Sequence, residues 1–255
     1  RDKFCYSFEE IEKNKFSFER KSWLHKHSGG GEMSIMKGEI FEKVGVNIST
    51  VSGTFEDDFR NQVKGTENSP EYFATGISLV AHMNSPKIPA FHFNTRFLVT
   101  GDSWFGGGAD LTPTLEDKES INFFHNQMEE SCKNYKENAY KEYKKNCDEY
   151  FYLGHRDEPR GAGGIFFDHV NTDNWNKDFD FIKRVGESTH TAITNIVKNK
   201  KDLSWTDEEK DLQLIKRGRY VEFNLIWDRG TLFGLKTGGS TEAILMSMPP
   251  NAKWD

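Results

Sequence analysis

The chain has 255 residues, 34 Lys and Arg against 40 Asp and Glu, a formal net charge of −6 and a pI near 5.8. That balance, with no basic stripe, argues against nucleic acid as a partner. A mean hydropathy of −0.75, with no apolar run near the ~18 residues a membrane helix needs, argues against a membrane span.

The first 28 residues read as helix-prone, with Phe8, Ile11, Phe16 and Phe18 among charges, and Gly29, Gly30 and Gly31 end that segment. Two short runs follow, 32–37 and 40–51. The second carries Val44, Val46 and Ile48 at period two, the spacing of a half-buried strand. Residues 56–71 read as a charged loop.

Stronger strands are expected over 74–83 and 90–100, joined by NSPKIP, where two prolines favour a turn. In the second, His92, Asn94 and Arg96 share one face and Phe91, Phe93, Thr95 and Phe97 the other. A polar row opposite an aromatic one suits either the floor of a site or an exposed sheet face.

Residues 96–115, RFLVTGDSWFGGGADLTPTL, carry three glycines and one carboxylate, Asp110. No Lys and Ser/Thr follow the glycines as in a phosphate loop. A sharp loop presenting one acid beside Trp104 and Phe105 suits a flat ligand bearing NH groups. A tight turn leading to a helix N-cap at Asp110 is the other reading.

Over 116–150 the apolar spacing becomes three and four, the mark of one amphipathic helix or two in tandem, with His125 beside the stripe. Residues 151–168 place His155, Arg156 and Arg160 ahead of Gly161, Gly163 and Gly164, and arginines framing a glycine turn can hold carboxylates bidentately. A helix is expected over 178–200. Thr206 and Glu209 form a capping box that opens another, to Lys216. The chain then returns to strands, over 220–227 and 231–236, before the turn at Gly238 and Gly239 and an apolar run over 243–248.

Strands, then helices, then strands without βαβ alternation predict one α+β domain over residues 1–255 with a mainly antiparallel sheet. Cys5, Cys132 and Cys147 lack metal-type spacing. On one helix the last two would lie about 22 Å apart, beyond the ~7 Å of a disulfide, which favours a reducing compartment, the cytoplasm. The chain begins at Arg1 rather than Met, so an upstream targeting segment stays open. His82, His92, His125 and His155 match no compact metal motif, and no serine nucleophile elbow or dinucleotide fingerprint is present. What remains is His92, Asp110 and several arginines, which suit a flat ligand with NH groups and several carboxylates.

At these residues the sequence resembles the aerobic coproporphyrinogen III oxidases. The matching stretches are FEKVGVNIS (41–49), FHFNTR (91–96), WFGGGADLTPT (104–114), GHRDEPRGAGGIFFD (154–168) and RGRYVEFNLIWDRGTLFGLKTGG (217–239), followed by ILMSMPP. The resemblance implies oxygen-dependent decarboxylation of two propionates of coproporphyrinogen III to vinyl groups, in heme and porphyrin biosynthesis. It implies a large antiparallel sheet flanked by helices, and a homodimer formed through the strand region between Tyr220 and Arg229. It implies no organic cofactor, molecular oxygen as co-substrate and, in some bacterial members, a divalent metal on His82, His92, His125 and His155. His92 and Asp110 are then the catalytic residues, and Ser78, Asn94, Thr95, Arg96, Gly238, Gly239 and Ser240 the substrate-contacting ones. The chain departs from the resemblance at Ser240, where an arginine is usual. The family also usually continues past Trp254.

Overall fold

The computed structural model describes residues 1–55, 63–67, 69–236 and 238–254; part of the charged loop expected over 56–71 therefore lies outside the described residues. The chain opens with helix α1 (Asp2–Ile11), then strands β1 (Glu19–Leu24), β2 (Ser28–Met36), β3 (Phe41–Thr54), β4 (Glu71–Met83), β5 (Ala90–Val99) and β6 (Ser103–Thr112). Helices α2 (Lys118–Cys132) and α3 (Ala139–Tyr150) follow, with a small hairpin of β7 (Tyr152–Leu153) and β8 (Glu158–Pro159), and then β9 (Gly163–Val170). The remainder is helical: α4 (Trp175–Lys200), α5 (Asp207–Glu222), a π-helical turn (Phe223–Trp227), α6 (Arg229–Lys236), α7 (Thr241–Ile244) and a 3-10 turn (Leu245–Ser247).

Among the described residues, seven strands form one sheet in the order β1-β2-β3-β4-β5-β6-β9, each antiparallel to its neighbours. Period-two alternation gives the sheet two unlike faces. One carries Val44, Val46, Leu79, Ala81, Phe91, Phe93, Ala109, Leu111, Ile165 and Phe167, all buried in the main core with α1, α2, α3 and α4. Fully burying a Phe or Leu stabilises by about 1.5–3 kcal/mol, and this face supplies many such side chains. The other face is polar and glycine-rich, and the segments after α4 pack over parts of it. The result is an α+β fold, a large antiparallel sheet with helices on both sides.

Several expectations need correction, beginning with the helix-prone first 28 residues, of which 19–24 form β1. Gly29, Gly30 and Gly31 do not end a helix; they lie within β2, and a Cβ at Gly31 would fall 2.2 Å from the Ile48 carbonyl oxygen and 2.6 Å from the Trp23 ring. The 96–115 stretch is no loop, since Gly106, Gly107 and Gly108 sit inside β6 and the chain turns at 100–102. Asp110 is accordingly not a helix cap; Asp117 caps α2, its side chain accepting from the Ser120 N–H. The segments 220–227 and 231–236 are helical rather than extended. The capping box at Thr206 and Glu209 does form, but the helix it opens runs past Lys216 to Glu222. Its inner side buries Gln213, Arg217 and Tyr220, with Phe223 beyond, at helical spacing. VEFNLIW alternates well enough for a strand, so tertiary packing overrides β-propensity there. Cys132 and Cys147 sit on different helices, and both are buried free thiols, as is Cys5.

Candidate active site

The strand register arranges the polar face in rows. Gly45, Val80, His92, Asp110 and Gly164 lie side by side, then Asn47, Ser78, Asn94, Gly108 and Phe166, then Ser49, Gly76, Arg96 and Gly106. Glycine at five of these places leaves a flat floor, broken by the polar chains of β5. Met246 covers the floor at Gly45, where a Cβ would fall 2.4 Å from its Cγ and Sδ. Phe166 stacks on Tyr150 with centroids 4.3 Å apart, and the Arg229 guanidinium lies 5.0 Å from the Tyr150 ring.

A chain of polar contacts, an ion pair followed by three hydrogen bonds, runs along β5. Arg96 Nη2 lies 3.0 Å from Asp168 Oδ1 on β9. Arg96 Nη1 donates to Asn94 Oδ1 at 3.2 Å, Asn94 Nδ2 lies 3.1 Å from His92 Nε2, and His92 Nδ1 lies 2.7 Å from Asp110 Oδ1. The ends fix its direction. Arginine has no acceptor and an ionised carboxylate no donor. The Asn94 oxygen therefore faces Arg96 and its amide donates to His92 Nε2, while His92 Nδ1–H donates to Asp110.

Behind Asp110 stands Arg160, one of the two arginines expected to hold carboxylates. It pairs not with a ligand but with Asp110 Oδ2. Its side chain is 1% exposed, and its guanidinium carbon lies 4.0 Å from the Phe151 ring and 4.7 Å from those of Tyr220 and Phe223. Burial alone would push the Asp110 carboxyl up. The Arg160 charge and His92 overcome that and hold it below its usual value.

Other expected site residues fall as follows. Ser78 is half-buried on the polar face beside Asn94. The Thr95 side chain, as the alternation required, belongs to the opposite face and is buried there. Gly238 and Gly239 link α6 to α7, with Gly239 N–H donating to the Gly234 carbonyl. Ser240 caps α7, its Oγ accepting from Ala243 N–H at 3.4 Å.

The four histidines do not converge. His82, 1% exposed, donates from Nε2 to the Ser247 carbonyl at 2.8 Å, and burial drives it down to about 3. His125 meets the Ala162 carbonyl at Nε2 and the Tyr140 hydroxyl at Nδ1. His155 meets Glu222 and accepts from Trp227 Nε1. Arg156 binds the same Glu222 through Nε and Nη2, and Arg156 first, against burial and with His155 and Trp254 behind it, brings that carboxyl down to about 2. Among the described residues no group of three or more His, Cys, Asp or Glu could hold a metal ion. These side chains do not fit a shared metal site.

A crevice under α5, lined by residues including His82, Thr112, Gln213, Arg217 and Tyr220, touches neither His92 nor Asp110. The chemistry gathers instead on the open floor.

The family model described as coproporphyrinogen III oxidase matches residues 1–255. The chain belongs to the coproporphyrinogen III oxidase family. Proteins named oxygen-dependent coproporphyrinogen-III oxidase are similar along the whole chain. Two come from Rickettsia bellii, strain OSU 85-389 at 54% identity and strain RML369-C at 53%, and one from Rickettsia africae at 53%. In each, the match covers 100% of this chain and 94% of the relative. No helix among the described residues of this coproporphyrinogen III oxidase family member is long and apolar enough to cross a membrane. Sequence reasoning missed Asp168, whose signal was its period-two step from Gly164 and Phe166, and Asp228, which accepts from Tyr150 Oη at 2.8 Å.

Proposed function

We propose that this chain is an oxidoreductase of heme and porphyrin biosynthesis that oxidatively decarboxylates two propionates of coproporphyrinogen III to vinyl groups, giving protoporphyrinogen IX. The observation that carries the reading is the in-register His92–Asp110 pair on a flat, glycine-floored sheet face, within a chain of this family. Each propionate reacts with one O2 and one proton, giving one vinyl group, one CO2 and one H2O2. The substrate thus loses CO2 and a hydride equivalent, and O2 takes up that hydride and the proton. Molecular oxygen is the co-substrate and no organic cofactor takes part.

Asp110, ionised and walled in by Arg160, orients the imidazole and keeps its proton on Nδ1. With substrate bound and the Asn94 amide displaced from it, His92 Nε2 accepts a proton from the electron-rich pyrrole system and returns it to the departing peroxide. Arg96, with Asn94 beside it, binds a propionate; its fork matches a carboxylate better than a point charge does. Ser78 and the turn at Gly238, Gly239 and Ser240 contribute the outer contacts. Thr95 contributes through its backbone.

The protein works as a homodimer, supported by Leu225, Ile226 and Trp227, which lie 48%, 52% and 45% exposed on consecutive residues. Free buried thiols support the cytoplasm as its compartment.

The test is incubation with coproporphyrinogen III with and without O2, reading porphyrin product by fluorescence and gas uptake electrochemically. Product only with O2, with two O2 consumed per substrate, is the expected result. Tight binding without O2 uptake would make the chain a tetrapyrrole carrier instead.

A further inference from the structure

We infer that Asp168 is a positioning residue for Arg96: it holds the guanidinium flat on the sheet so that its remaining N–H edge is ready for a substrate carboxylate. This rests on the reading of Arg96 as a propionate-binding residue. Asp168 lies on β9 and Arg96 on β5, with β6 between them. The two side chains meet because β6 has Gly106 directly opposite Arg96. A Cβ there would fall 2.8 Å from Asp168 Oδ1 and 2.9 Å from Arg96 Cζ and Nε.

Asp168 is itself anchored. Its Oδ1 also accepts the backbone N–H of His169 at 3.1 Å. His169 has φ +52°, at the irregularity where the β6–β9 register shifts between Phe105 and Gly107. A fixed acceptor thus takes Nη2 while Asn94 Oδ1 takes Nη1. The ion pair at Nη2 and the hydrogen bond at Nη1 together set the plane of the fork and leave donors for an incoming carboxylate.

The pair is not there for stability. Its side chains are 33% and 25% exposed, and exposed pairs of this kind contribute little to folding. Its effect falls on binding, because an arginine held beforehand loses less rotamer freedom when the ligand arrives. An interaction of that type appears in KM and not in kcat.

The test measures steady-state kinetics with coproporphyrinogen III for Asp168→Ala, Asp168→Asn, Arg96→Ala and the Asp168→Ala/Arg96→Ala double variant, with thermal melts alongside. Asp168→Ala should raise KM about threefold to tenfold with kcat within about twofold and an almost unchanged melt. Asp168→Asn keeps the acceptor oxygen and should restore KM to the wild-type value or below it, since a neighbouring negative charge is gone. On the Arg96→Ala background, Asp168→Ala should add nothing. An unchanged KM in Asp168→Ala, a fall in kcat instead, an Asp168→Asn as impaired as the alanine, or additive effects in the double variant would each overturn the proposal. The two readings separate at Arg96→Ala. If that variant leaves KM unchanged, the propionate role of Arg96 fails and this proposal with it; if it raises KM while Asp168→Ala does not, only Asp168 is refuted.

Discussion

Asp110 and Arg160 form an ion pair in which both side chains are almost wholly buried, 4% and 1% exposed, and Asp110 turns its other oxygen to His92. Its two oxygens are thus divided, one bound to a fixed cation and one to the imidazole on the open floor. A carboxylate so placed reaches a ligand through His92.

Removing its charge should therefore damage both activity and fold. Asp110→Asn is expected to lose well over about 90% of turnover, ~1.4 kcal/mol or more of barrier. It should also melt earlier, because a buried guanidinium without its partner costs about 3–5 kcal/mol. Adding Arg160→Met should recover much of the melting temperature and none of the turnover. Near-normal turnover in Asp110→Asn would remove the carboxylate from the mechanism.

Glu42 fastens β3 to α5, bonding Arg217 Nη2 at 2.7 Å and Lys210 Nζ at 3.3 Å. Burial pushes its carboxyl up, but Arg217 and then Lys210 outweigh that and hold it below the usual value. A depressed folded value stabilises above the unfolded pKa of ~4.3, and the contribution is lost as pH falls through the folded value. Glu42→Gln should cost roughly 1–3 kcal/mol at pH 7, and the gap to wild type should shrink steadily below about pH 4. Melts of both proteins across that range check it, and a constant gap would show that the charge is not the cause.

The apolar run Leu225, Ile226 and Trp227 follows α5 as a π-helical turn, so the dimer contact is expected through a helical ridge, not a paired strand. Ile226→Asp should shift the protein toward monomer in sedimentation velocity at micromolar concentration while leaving the far-UV spectrum intact. Wild type sedimenting as a monomer would end the proposal outright.

His82, His125 and His155 each spend ring nitrogens on partners other than a shared ion: a carbonyl, a hydroxyl with a carbonyl, and a carboxylate with an indole. Protein dialysed against EDTA is accordingly expected to keep its O2-dependent turnover. Elemental analysis that finds one transition metal per chain, lost together with activity and restored on its return, would show that the histidines regroup.

The sequence by itself determined the central strands, including β5, and the identity of its working row. Alternation in FHFNTRF put His92, Asn94 and Arg96 together because side-chain direction in a strand reverses every residue, whatever surrounds it. The long match of residues such as WFGGGADLTPT carried the family. The capping box at Thr206 was legible for the same local reason. Only the tertiary structure decided that the three glycines are a strand floor and not a loop, because what excludes a side chain at Gly106 is Arg96 and Asp168, from two other strands. Only it turned Tyr220 and Phe223 into the helical wall around Arg160, since alternating apolar residues satisfy both periods until a partner surface selects one. And only it divided the arginines between ligand and scaffold. Spacing along the chain says nothing of Arg160 lying beneath Asp110, 50 residues away, where burial makes its charge a counterweight to an acid and not a clamp for a substrate.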